Sequence, residues 1–110
     1  MRQIVIDELS PMECDNLDSF LKRSLQAGPM VGLFWLVMPQ EQLSDVQQAH
    51  ISCGPYYCAV ELEKTKLCVE LLVRSSSALH CDCIAYATED QRRFILNFID
   101  RMLEEEQIRA

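Results

Sequence analysis

The side chains with the strongest claim on chemistry are two histidines and six cysteines, and five of those six lie between positions 53 and 83. They fall into the groups His50-x2-Cys53-x4-Cys58 and His80-Cys81-x-Cys83. Imidazole nitrogen with thiolate sulfur is the donor set that zinc takes. Cys58 belongs to the core face of a strand, so the ligand set to test is His50, Cys53, Cys81 and Cys83. Two features oppose it. Paired Cys-x-x-Cys knuckles are absent, and on a regular strand His80 points away from Cys81 and Cys83, so that His80 joins them only across a bulge. The competing reading makes Cys58, Cys81 and Cys83 small apolar residues beneath the last helix, with Ala85 and Ala87 continuing their face.

Redox chemistry has less to stand on. Cys81 and Cys83 on an extended strand would have Cα atoms nearly ~7 Å apart, about the limit for a disulfide. No Cys-x-x-Cys opens a helix that could lower a thiol pKa. Catalysis finds no Cys-His or Ser-His pair and no phosphate-cradling glycine loop. Glu61, Glu63 and Glu70 lie on the outward side of a hairpin, where Lys64, Lys66 and Arg74 screen them, the pattern of a solvated face. The expectation is a protein without enzymatic activity.

Those groups must be positioned by the elements around them, and the last helix is the plainest of these. Thr88 stands three residues before Gln91, a capping box that starts a helix at about Glu89. Phe94, Ile95, Phe98, Ile99, Met102 and Leu103 then form one apolar stripe. At ~1.5–3 kcal/mol for each large side chain fully buried, the stripe is worth on the order of 10 kcal/mol and must be covered. Glu104, Glu105 and Glu106 at the negative end of the helix dipole predict a frayed last turn.

The surface it packs on precedes it. Cys58, Val60 and Leu62 alternate with Tyr57, Ala59, Glu61 and Glu63, and Leu67, Val69, Leu71 and Val73 alternate with Cys68, Glu70, Leu72 and Arg74. Their apolar faces coincide only if Leu62 faces Leu67 across a four-residue loop, Glu63 to Lys66. A further strand is expected from about Leu79 to Ala87. Upstream, Arg2 to Glu8 alternates as a half-buried strand, and Ser10-Pro11-Met12-Glu13 opens a helix that Gly28-Pro29 should stop. Val31 to Met38 is apolar throughout, as in a central strand covered on both faces, with Trp35 packed in the core. Gly32 marks a bulge or a close backbone contact. Gln40 to His50 is polar, with Ser44 and Gln47 able to cap a short helix, and too few apolar residues to pin it, so it is expected as a mobile flap.

The expected fold is α+β: one domain over residues 1–110, with a mostly antiparallel sheet of about five strands and two helices on one face, in the order β-α-β-flap-β-β-β-α. Formal charge of −7 with ten Lys plus Arg argues against nucleic acid and anionic membranes, which need a cationic field. No secretory signal or membrane span is apparent, so the cytoplasm is the default, where cysteines stay reduced. The strand running into Thr88-Glu89-Asp90-Gln91 and its apolar helix resembles the end of a PilZ domain, without the motifs that bind cyclic dinucleotide there. In gross form the chain is similar to type III secretion chaperones.

Outward on the hairpin and its neighbour, Tyr57, Leu72 and Tyr86 form an apolar patch rimmed by carboxylates, suited to a protein partner or a second copy. The leading reading is a non-catalytic cytosolic interaction module, dimeric and without cofactor. The alternative is a small zinc-binding or thiol-based protein using His50, Cys53, Cys81 and Cys83.

Overall fold

A computed structural model describes residues 1–110. The strands are β1 (Gln3–Ile6), β2 (Gln26–Ala27), β3 (Leu33–Val37), β4 (Tyr56–Leu62), β5 (Leu67–Glu70), β6 (Leu72–Ser75) and β7 (Ala85–Tyr86), and the helices are α1 (Pro11–Ser24), α2 (Asp45–Ala49) and α3 (Glu89–Glu105). All strand pairs are antiparallel. The sheet runs β1-β5-β4-β3-β2, with β6 continuing along β4 and β7 beside β6. The first strand therefore lies outside β5, remote from β3.

The hairpin has the expected register. Leu62 faces Leu67, and the Glu63 N–H donates to the Lys66 carbonyl at 2.8 Å across the four-residue loop. Leu67–Arg74 is not one strand: it is interrupted at Leu71, whose N–H donates to the Arg2 carbonyl. β1 flanks the first half and β7 the second.

Ser10, Ser44 and Thr88 each close a full capping box at the start of α1, α2 and α3. Inward residues of the sheet, among them Phe34, Leu36, Tyr56, Cys58, Val60, Leu67 and Val69, share one 21-residue core with Leu17, Phe20 and Leu21 of α1 and Ile95, Phe98, Ile99 and Met102 of α3. Phe20 meets Phe98 edge-on at 6.0 Å. Both long helices thus cover the same face.

Other expectations need correction. α1 stops at Ser24 rather than at Gly28, because Gln26–Ala27 extend to pair with Trp35 and Phe34. The end of α3 is closed, not frayed: Gln107 takes a positive φ of 56°, and Ile108 turns back to donate to the Leu103 carbonyl and bury its side chain. β3 is covered on one face only, since Val37 is 45% exposed, and Trp35 packs on Tyr57 on the outward side, outside the core. The expected strand Leu79–Ala87 shrinks to Ala85–Tyr86, and its first half is a loop. Gly32 does mark a close approach: at φ 83° an added Cβ would stand 2.6 Å from the Leu62 carbonyl oxygen.

No helix is long and apolar enough to cross a membrane.

Candidate metal centre

The loop in place of the expected strand brings the two histidine and cysteine groups together. One ligand atom from each of His50, Cys53, Cys81 and Cys83 lies within 4.8 Å of every other. Cys81 Sγ stands 3.2 Å from His50 Nδ1. Four ligands at zinc's usual bond lengths, ~2.3 Å to sulfur and ~2.0–2.1 Å to nitrogen, set their donor atoms roughly 3.6–3.8 Å apart at tetrahedral corners. The observed separations, from 3.2 Å to at most 4.8 Å, bracket that spacing.

Local structure explains the convergence. His50 closes α2, its N–H donating to the Val46 and Gln47 carbonyls, and the Cys53 N–H donates to the His50 carbonyl at 2.9 Å. That single turn puts imidazole and thiol on the same side. On the facing segment, the Ile84 N–H donates to the Cys81 carbonyl at 3.0 Å, bending the chain so that Cys81 and Cys83 both point at α2. The parity objection holds for His80, which is exposed and outside the cluster. It does not hold for the other four residues.

Side-chain donors hold the backbone that carries the ligands. The Gln47 amide donates to the Cys83 carbonyl at 3.1 Å, and Gln91 at the start of α3 donates to the Gln47 side-chain oxygen and to the Gln42 carbonyl, each at 2.9 Å. The Tyr56 hydroxyl donates to the His50 carbonyl at 2.7 Å. Ser75 donates to the Cys53 carbonyl and accepts from the N–H groups of Ser77 and Ala78, while Ser77 donates to the Ser52 carbonyl. Such outer contacts orient metal ligands and are commonly needed for full affinity. Residues 40–50 are accordingly not an unpinned flap: Gln47 is 2% exposed and Gln91 1% exposed, so hydrogen bonds hold what apolar contacts do not.

The thiols differ. Burial, then the neighbouring thiols of Cys83 and Cys81, pushes Cys53 up to about 11. The Cys83 backbone N–H and thiol, with help from the Cys53 thiol, hold Cys81 below the ordinary thiol value. Burial raises the Tyr56 phenol, and a hydrogen bond with Cys83 adds to it. All six cysteines are free thiols. Cys58 is fully buried in the core and, as its strand position requires, away from the cluster.

Sequence reasoning named the four clustered residues as the alternative to its favoured metal-free reading, and missed Gln47, Gln91, Tyr56 and Ser75 as the groups that hold them. Gln47 and Gln91 were visible only as helix caps. Their burial depends on contacts more than 40 residues away in sequence.

Tyr57, Leu72 and Tyr86 lie on the outward sheet face. Tyr57 pairs with Arg74, two residues along β6 from Leu72, and Leu72 pairs with Tyr86. Comparison with known protein families, curated proteins and solved structures returns no match.

Proposed function

We propose that this chain is a non-catalytic, zinc-stapled binding domain of a reducing compartment, with His50, Cys53, Cys81 and Cys83 as the four ligands of one structural ion. The observation that supports this most is the mutual approach of those four donor atoms to within 4.8 Å. Three sulfurs and one nitrogen favour zinc over magnesium or calcium, which take oxygen. Four protein ligands leave no open position for substrate or water, which is the mark of a structural site rather than a catalytic one. The ion's role would be to fasten α2 and its following turn to the loop before β7. Most of the 21-residue core lies away from the site, although Cys83 and Tyr56 belong to it and Cys53 and Cys81 pack against it, so removal of the ion should open this corner and leave most of the fold in place.

The test is elemental analysis combined with competition against a chromogenic chelator. One zinc per chain is expected for the natural sequence, for His80→Ala and for Cys14→Ala. Cys81→Ser and Cys83→Ser should each weaken binding by on the order of 10³, beyond the ~10–100-fold typical of losing an outer-shell contact. Far-UV circular dichroism of the chelated protein should keep most of its native signal. Protein that takes up no zinc when refolded under reducing conditions, or that loses it equally with His80→Ala, would sink the proposal.

A thiol-redox role is the second reading, favoured by the lowered Cys81 thiol beside Cys53 and Cys83. It predicts metal-free protein in which a mild oxidant joins two of these three cysteines.

A further inference from the structure

We propose that the outward face of the sheet is the surface through which two copies of this chain associate. It is independent of the metal site. α1 and α3 both pack on the inward face, and the outward positions carry a separate apolar set: Val5 on β1, Cys68 on β5, Ala59 and Tyr57 on β4, Trp35 and Val37 on β3. None of these six joins the 21-residue cluster beneath the helices, although Ala59 and Cys68 are themselves buried, at 8% and 7% exposure. Val5 is 42% and Val37 45% exposed, while the Tyr57 ring, opposite Val37, meets the Trp35 ring with centroids 4.6 Å apart. Five strands at ~4.8 Å spacing and five residues at ~3.3 Å give a face of roughly 24 by 17 Å, suitable for a second sheet packed at ~10 Å.

Charge argues that the occupant is another copy. Three acidic and three basic side chains belong to the face: Glu61, Glu70 and Arg74 from outward strand positions, Glu63 reaching back to Cys68, Lys66 paired with Glu63, and Arg2 lying 3.9 Å over the Tyr86 ring. The six sum to zero, so the chain's whole excess of −7, fourteen acids against seven bases, resides outside this set. Asp7 and Glu8 follow β1 beyond its last paired residue. Two molecules of equal negative charge repel through most orientations, and this face is where that repulsion is locally absent. Within it, Arg74 holds Glu70 at 3.1 Å and Lys66 holds Glu63 at 3.7 Å. Glu61 and Arg2 have no ion-pair partner in the chain, so the face offers one unpaired charge of each sign. That is complementary to itself, whereas a strongly basic or acidic partner would gain little from it.

Sedimentation equilibrium of the full, reduced chain between about 1 and 100 μM, a span that brackets ordinary weak dimers, tests this. A monomer–dimer equilibrium is expected, with emission from Trp35, the single tryptophan, shifting to the red on dilution. Val5→Lys and Val37→Lys, at exposed positions that leave the monomer fold intact by circular dichroism, should each weaken association at least tenfold. Leu96→Lys on the solvent side of α3 should leave it unchanged. Raising salt from about 50 to about 500 mM should hold or strengthen association, because what salt screens is repulsion between two −7 bodies. A chain that stays monomeric over the whole range overturns the proposal, as does a dimer that survives both lysine substitutions or fails equally with Leu96→Lys.

Discussion

The slab made by α1 and α3 on the sheet and the corner made by α2 and residues 76–84 meet at Gln91, yet they are held by different interactions. In the slab, stability is spread over most of a 21-residue apolar core, which reaches the corner only at Tyr56 and Cys83. In α2 the single buried side chain is Gln47, and its partners are the Cys83 carbonyl, the Gln91 amide and the Ser44 N–H. Apolar burial is proportional to area and indifferent to direction, so the slab should lose stability by degrees. Hydrogen bonds and metal ligation depend on particular atoms at particular distances, so the corner should fail when one atom goes. The slab makes the fold, and under the proposed function the corner is the part whose state depends on an ion.

The strongest test of that division is in the slab. Met102 is fully buried between α3 and the sheet, and Met102→Ala should cost about 2–5 kcal/mol by the usual transfer and cavity contributions. Urea unfolding would read this as a lower midpoint with an unchanged slope. Zinc affinity measured below the unfolding transition should stay within about twofold, since Met102 supplies neither a donor atom nor a hydrogen bond to the site. A large loss of affinity would mean that slab and corner are one cooperative unit.

Gln91 is where the two can be coupled. Its amide satisfies the Gln42 carbonyl and the Gln47 side chain, and its oxygen accepts the Thr88 N–H. Gln91→Ala leaves those buried groups unpaired, at about 1–3 kcal/mol. Unlike Met102→Ala it should also weaken zinc binding by roughly 10–100-fold, because Gln47 would lose the contact that aims it at the Cys83 carbonyl. Hydrogen exchange resolves the outcome: faster exchange confined to residues 40–55 and 76–88 is expected. Acceleration across α3 and the central strands instead would remove the distinction between the regions.

The same division explains how much was legible in the sequence. Periodicity reports burial against a large apolar surface, so the α3 stripe and the Leu62–Leu67 register could be read directly, and local capping chemistry marked Ser10, Ser44 and Thr88. The corner has no periodicity. Its geometry turns on the bend at Cys81–Ile84 and on pairings such as Gln47 with Cys83, 36 residues apart, for which a single sequence has no local signal. Trp35 was misplaced for a related reason: an unbroken apolar run says that both faces avoid water, not that the same molecule covers both.

Cys58 and Cys83 offer the finest comparison, because one residue type is equally buried in the middle of the slab and where the core reaches the corner, at 0% and 1% exposure. Cys58 sits on the inward side of β4, where burial pushes its thiol up to about 12. It should therefore remain protonated and unreactive at neutral pH, a packing group in all but name. Cys58→Ala removes one sulfur from the core and should cost about 1 kcal/mol, close to a buried methylene, with zinc stoichiometry still one. In native protein at pH 8, iodoacetamide should leave Cys58 unmodified whether or not metal is bound. Cys81, with its lowered thiol and partial exposure, should be alkylated in chelated protein and protected once zinc is restored. Mass spectrometry of the digested protein reads both sites from one sample. If Cys58 also gained reactivity on chelation, the ion would be holding the core closed as well as the corner, and the slab could not be counted as independent of it.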